Sequence, residues 1–445
     1  MTGAAGADPG AGAVRTVDVA VVGAGPAGLA AASAAAAGGA SVTLIDAAPR
    51  PGGQFWRHRA RGIDADADLH HDLATFARLA PGPGIDYLPG YQVWTVSGDC
   101  VIHAIGPAGE RVIKSRYLVL APGAYDRQIP FPGWELPGVV TAGGAQALLK
   151  GQGVVAGKRV LVAGTGPFLL PVAAGLAIRG ATVVGVHEAN HPAAWLRHPV
   201  GAIGKLPEAL SYLRVLRRHR VPVTYRSTVV AAVGDDQVSG AVLADGSELP
   251  VDVIAVGWGF TPQLELPLAA GCATRVDDDG SLVVVVDENQ FSSNPRVLVV
   301  GEATGVGGAA LAVTEGTIAG IAASGGDVPA RLRRRRARLR SFAGALHEIY
   351  PVPDGWMERL PADTLVCRCE EVTAGQLREA VDLGATDVRT VKLLSRVGMG
   401  WCQSRVCGYA ASCLTARLTG APYDPRGVAE RPIASPISLG TLATD

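Results

Sequence analysis

The 445-residue sequence has little cysteine: seven residues in all, five of them after position 366. So sparse and odd a set excludes a disulfide scaffold. No Cys-x-x-Cys occurs before position 366, which removes the dithiol mechanism of disulfide reductases from that part of the chain. Net charge is missing as well, because 40 basic residues cancel 40 acidic ones. The electrostatic footprint of a nucleic-acid-binding protein is therefore absent. There is no long uninterrupted apolar run. The best early stretch, 17–37, is interrupted by Asp18 and by four glycines or prolines, a poor membrane span. Residues 1–14 lack the basic and apolar parts of a signal peptide and read as a flexible tail. These absences predict a cytoplasmic protein with no nucleic-acid partner and no transmembrane segment.

What is present is apolar and rich in glycine. Hydrophobic residues make up 48% and charged residues 18%, a composition that excludes wholesale disorder. The length suggests two to four domains. Glycine, at 58 residues, is about twice its ordinary share.

The first structured segment is the β-branched run 17–22, which ends in Gly23-Ala24-Gly25-Pro26-Ala27-Gly28. The Ala-rich stretch 29–37 favours a helix. The run 41–45 then ends at Asp46, eighteen residues past Gly28. Strand, glycine turn, helix, strand and acid make the βαβ unit of a dinucleotide site. Its glycines allow the tight turn, the close approach of a pyrophosphate and the packing of helix on strand, and the acid accepts a ribose diol.

The pattern returns about 140 residues later at Gly164-Thr165-Gly166-Pro167, with Glu188 beyond the next strand. Here Leu169 stands where the third glycine belongs, which weakens the motif. Glu188 would prefer NAD(H) to NADP(H), and a degenerate lobe kept for packing is an equal alternative. Alternating apolar residues in 87–120 predict antiparallel strands, and 221–256 reads as further short strands. The run 296–300 ends in Gly301-Glu302, and a helix is expected over 309–323. The first lobe is thus interrupted by the second. The arginine-dense stretch 331–340 reads as a solvated helix between domains.

Cys367-x-Cys369 and Cys402-x-x-x-x-Cys407 are separated by 32 residues. Four thiolates are the ligand set of an iron–sulfur cluster, and structural zinc also takes four. The one-residue gap counts against zinc, whose ligand pairs usually stand further apart. Thr373 and Gln376 form a capping-box pattern opening a helix that Gly384 stops. Arg368 and Arg405 flank the ligands and read as potential-tuning or solvated side chains. Cys413 falls on an expected helix and is not a ligand. Cys100 and Cys272 read as ordinary buried residues.

With Arg50-Pro51-Gly52-Gly53-Gln54, the segment Leu118 to Gly123 and the pair Gly301-Glu302, the first lobe resembles two-dinucleotide-domain flavoproteins. Residues 365–408 resemble the [2Fe-2S] domain of bacterioferritin-associated-ferredoxin type. Their combination resembles the α subunit of heteromeric, dye-linked amino-acid and opine dehydrogenases, a group with D-hydroxyproline and proline dehydrogenases, opine oxidases and hydrogen cyanide synthase.

The resemblance implies an α/β fold with a discontinuous first Rossmann lobe (15–130 and 285–328) and an inserted second lobe (131–284). A helical linker (329–362), a [2Fe-2S] domain (363–420) and a C-terminal tail (421–445) follow. It implies FAD on Gly23, Gly25, Pro26, Ala27, Gly28, Asp46, Gly53, Gln54, Val93, Ala121, Gly123, Gly301 and Glu302. The late acid of this family is usually Asp and contacts the ribityl chain. Wider relatives place FAD, NAD or ATP in this lobe. Gly164, Gly166 and Glu188 are candidates for NAD(H), and Cys367, Cys369, Cys402 and Cys407 for the cluster.

The implied partners are a β subunit similar to D-amino-acid oxidases, an FMN at the subunit interface, a small ferredoxin-like subunit, and peripheral membrane attachment through partners. No acid–base or nucleophile constellation stands out, so no catalytic residue is assigned. His58 and the pair His70-His71 read as exposed. The expected role is electron transfer from the partner through flavin and cluster. A self-sufficient NADH-dependent reductase and a non-catalytic scaffold binding nucleotide and zinc are the other readings.

Overall fold

The computed structural model describes residues 14–58, 72–429 and 434–442; His70, His71 and residues 1–13 lie outside them. Val14, expected in the tail, already belongs to the first strand.

The first lobe opens with β1 (Val14–Val22), α1 (Pro26–Ala37) and β2 (Val42–Asp46). It continues with β3 (Ile85–Pro89), β4 (Gln92–Ser97), β5 (Val101–Gly106) and β6 (Gly109–Leu120). Strands β3, β2, β1 and β6 run parallel in that order. The alternating pattern predicts an antiparallel β3; it joins the parallel sheet instead, because it follows a crossover rather than a hairpin. β4 and β5 form an antiparallel meander against the first half of β6. The end of β6 pairs in parallel with Val297–Val299, a strand that returns about 180 residues later. The lobe is discontinuous for that reason. Its central strands are buried on both faces, which is why Val19–Val22 and Leu118–Leu120 are continuously apolar.

The second lobe is a parallel sheet ordered Val223–Tyr225, Thr182–Glu188, Arg159–Gly164, Val253–Gly257 and Val139–Thr141. A three-stranded antiparallel sheet over 229–250 packs beside it. The helices Ala374–Asp382, Val388–Ser395 and Gly408–Thr419 build a small core around Leu377, Val391 and Ala410. The first of them carries the expected capping box between Thr373 and Gln376.

The arginine-dense segment departs from expectation. It forms the helix Ala330–Ile349, but two of its arginines point inward. Arg336 and Arg340 donate to Glu315, whose side chain is wholly buried on the helix Ala309–Ala323. Spacing of four residues brings both guanidiniums onto one helix face. The C-terminal tail is also tied down: Tyr423 donates to the Gly280 carbonyl at 2.7 Å, and the Ala434 N–H reaches Trp94 O. Among the described residues, no helix is long and apolar enough to cross a membrane.

Candidate functional site: two nucleotide turns and a cysteine quartet

Four separated segments meet at the C-terminal ends of β1 and β6. Gly23 has φ of 101°, and a Cβ there would stand 2.2 Å from the Ala121 carbonyl oxygen. A Cβ on Gly28 would collide with Gly23 O at 1.7 Å. No other residue fits at either position, so the turn lies flat against the Ala121–Gly123 segment. Gly25 caps α1, and Pro26 occupies its first turn. A Cβ on Gly53 would stand 2.8 Å from Gly25 Cα, so the 50–54 loop lies directly over the turn. Ala27 fills the contact with Gly301, and its carbonyl abuts Gly316. That close crossing sets Gly301-Glu302 beside the start of α1.

The side chains at this turn are already engaged. Asp46 accepts from the Ala24 N–H through one oxygen and from the Ala48 N–H at 2.6 Å through the other. Burial raises its carboxyl above the ordinary carboxylate range. Glu302 curls back to accept from Gly307 at 2.8 Å and Gly308 at 3.0 Å, and burial raises it too. This acid thus orders the loop before the next helix. Gln54 is exposed and accepts from Arg57 Nε at 3.2 Å. Val93 turns its side chain into the core, leaving only its backbone to face a ligand. His58, expected to be exposed, is half-buried with its ring 4.7 Å from that of Phe76.

The second turn repeats this design. Glu188 accepts from Gly166 N at 2.7 Å, as Asp46 does from the first turn, and burial raises its carboxyl. Gly164 has φ of 137° and abuts Gly257 O. Leu169 does not break the lobe, because Gly257 on the adjacent strand makes room for it: a Cβ there would stand 2.9 Å from Leu169 Cδ2. The helix Leu169–Ile178 starts two positions later than α1 does relative to its turn.

The cysteines form two pairs. The Cys407 thiol donates to Cys367, and Cys369 meets Cys402. That donor and the N–H groups of Gly398, Glu370 and Cys369 lower the Cys367 thiol to about 6. Among the described residues, no three of these sulfurs lie within 4.8 Å of one another. A single tetrahedral zinc would draw all four to about 3.8 Å apart, given Zn–S bonds of about 2.3 Å. Two separated pairs fit two irons with two cysteines each. A Cβ on Gly400 would stand 2.1 Å from Cys369 Cβ, so only glycine lets the later loop close on the earlier one. Cys413 is on the helix Gly408–Thr419, away from both pairs, and burial raises its thiol to about 11. Cys100 and Cys272 are buried in the core with raised thiols, as an inert role requires.

The profile of the pyridine nucleotide-disulphide oxidoreductase family matches residues 17–316, and that of the BFD-like [2Fe-2S] binding domain matches 365–415. The chain belongs to the pyridine nucleotide-disulphide oxidoreductase family. It is an FAD-dependent oxidoreductase with a C-terminal [2Fe-2S] domain. An opine oxidase subunit from Rhizobium meliloti (strain 1021) is 35% identical over 96% of this chain and 98% of that protein. Hydrogen cyanide synthase subunit HcnB of Pseudomonas protegens is 32% identical over 88% of this chain and 91% of its own length. Among solved structures, L-proline dehydrogenase from P. horikoshii matches 97% of this chain and 80% of that chain with a TM-score of 0.72 at 19% identity, a likeness of fold. The similar proteins named as subunits belong to multi-subunit enzymes. FAD, when bound, would supply two-electron oxidation, and a [2Fe-2S] cluster would carry single electrons. The residues present fit both groups: the first glycine turn and the N-terminus of α1 would face a pyrophosphate, and the four cysteines would supply the ligand set of a two-iron cluster.

What the sequence did not disclose is how the two sites are joined. The segment 124–134 between the lobes is the surface on which the cluster domain sits. Trp134 Nε1 donates to Leu365 O at 2.7 Å, and Arg368 lies over the Trp134 ring at 5.3 Å. Arg127 stacks on Tyr409 at 4.3 Å and pairs with Asp279 at 2.7 Å. Of the two readings of Arg405, the solvated one fails, because the side chain is packed against Tyr125 and Glu265.

Proposed function

We propose that the chain is the electron-transferring subunit of a heteromeric amino-acid or opine dehydrogenase. In this reading a D-amino-acid-oxidase-like partner removes electrons from the amine, and flavin and cluster here pass them to an acceptor. The observation that carries it is the pairing, in one chain, of a complete flavin-type turn with a two-pair cysteine site seated on the inter-lobe segment. A flavin takes two electrons together and a cluster one at a time, so the pair converts one kind of transfer into the other. An FMN at the partner interface and a small ferredoxin-like subunit belong to the same proposal. The residues assigned to each cofactor are those named from the sequence. The domain limits are likewise those read from the sequence.

The test is co-purification with an oxidase-like protein encoded beside this chain, followed by amine oxidation with a dye acceptor. Activity of the complex and none in either chain alone is expected. Full-rate amino-acid oxidation by this chain alone would overturn the accessory role.

A second reading, a self-sufficient NADH-dependent reductase, is favoured by one observation: Glu188 holds the second turn as Asp46 holds the first. It predicts rapid flavin bleaching by NADH in the isolated chain, and absence of bleaching removes it.

A further inference from the structure

Arg405 lies between two cluster ligands, Cys402 and Cys407. Its guanidinium joins four parts of the molecule. NH1 donates to Cys402 O and to Gln403 Oε1, both at 3.2 Å, within the cysteine loop. NH2 donates to Ala434 O of the C-terminal segment at 2.6 Å. Nε donates to the Tyr125 hydroxyl at 2.9 Å and lies 2.8 Å from Glu265 Oε1. Both charged side chains are mostly buried, at 17% and 15% exposure. Tyr125 is two residues from Gly123, in the segment that backs the first glycine turn.

The loop that Arg405 holds needs holding. Gln403 and Ser404 are consecutive non-glycine residues with φ of 50° and 65°. Such backbone persists only where its surroundings fix it. Arg405 ties this strained turn to the flavin lobe, and the reciprocal stack of Arg127 on Tyr409 secures the other side of Cys407.

We propose that Arg405, clamped by Tyr125 and Glu265, is the positioning residue that seats the cysteine loop on the flavin lobe and sets the potential of the cluster. The inference rests on the reading that this chain holds FAD and a [2Fe-2S] cluster. A cation held on the cysteine loop at the Cys402 carbonyl favours the reduced, more negative cluster, and the Glu265 carboxylate opposes it. The two members of the ion pair therefore act with opposite sign. No merely structural role predicts that.

The experiment is an anaerobic redox titration of the purified full-length chain, followed by the electron paramagnetic resonance signal of the reduced cluster. At fixed potential, Arg405→Gln is expected to lower the reduced-to-oxidised ratio of the cluster tenfold, which is 59 mV for a one-electron couple. Glu265→Gln is expected to raise that ratio, and Arg405→Lys to restore most of the loss. Should Arg405→Gln lose iron, the sign of the Glu265→Gln shift decides. Ratios that move less than threefold in every variant, or in the same direction for both members of the pair, overturn the inference. A wild-type chain without iron and sulfide overturns the proposed function and this inference together. An intact cluster with unmoved ratios overturns only this inference.

Discussion

Replacing Glu315 probes how the arginine helix supports the flavin lobe. One oxygen of Glu315 accepts from Arg336 Nε at 3.1 Å and from Arg340, the other from Gly301 N at 3.1 Å and Thr304 Oγ at 3.0 Å. Its side chain has no exposure, while those of Arg336 and Arg340 retain 22% and 27%. Glu315→Leu leaves two guanidiniums without their buried partner and the Gly301 N–H without its acceptor. Removing one member of a buried ion group costs about 3–5 kcal/mol. The lower end applies, because both guanidiniums still reach water. That is a large part of the roughly 5–15 kcal/mol that holds a domain. The loss falls at Gly301-Glu302, so flavin affinity is expected to drop with it, about tenfold for each 1.4 kcal/mol that reaches the site. Urea unfolding followed by circular dichroism gives the first quantity, and fluorescence of released flavin the second. Glu315→Leu combined with Arg336→Met and Arg340→Met is expected to regain most of the stability, since a packed apolar cluster substitutes well for a buried ion group. A Glu315→Leu protein within about 1 kcal/mol of wild type would show that the buried ion group does not support this lobe.

Four further outcomes follow from other parts of the structure. Gly28→Val, whose Cβ meets Gly23 O at 1.7 Å, is expected to abolish flavin absorbance while the iron–sulfur absorbance stays. Cys367→Ser is expected to do the reverse, and Cys413→Ser to spare both chromophores. Lys150 is buried beside Arg57, and burial depresses its ammonium to about 8 from 10.5. The fold therefore binds this proton less tightly than the unfolded chain does. The destabilisation is fully present below pH 8 and relieved as pH rises toward 10.5. Lys150→Met is expected to stabilise the protein near pH 7, by an amount that vanishes across that window in chemical denaturation, and a pH-independent gain would refute it.

The two glycine turns, their acids and the cysteine quartet were legible because each is a local pattern with a fixed backbone task. The capping box at Thr373 was legible for the same reason. Leu169 looks like a defect in the sequence because its compensation, Gly257, stands 88 residues away on another strand. The inward arginines were hidden because composition counts charges without showing which face they take. Only the partner helix, with buried Glu315, discloses that face. Tyr125, Arg127 and Trp134 belong to no motif. Their role comes from the cluster domain folding back onto them, a contact between segments more than 200 residues apart.

In the proposed function, one chain carries flavin and cluster as connected electron carriers. Anaerobic photoreduction of the purified chain, with flavin, iron and acid-labile sulfide quantified and both chromophores followed, tests it most directly. One FAD and one two-iron cluster per chain are expected, with electrons entering at the flavin appearing on the cluster. Bound zinc in place of iron and sulfide, or a cluster that stays oxidised beside fully reduced flavin, would contradict it.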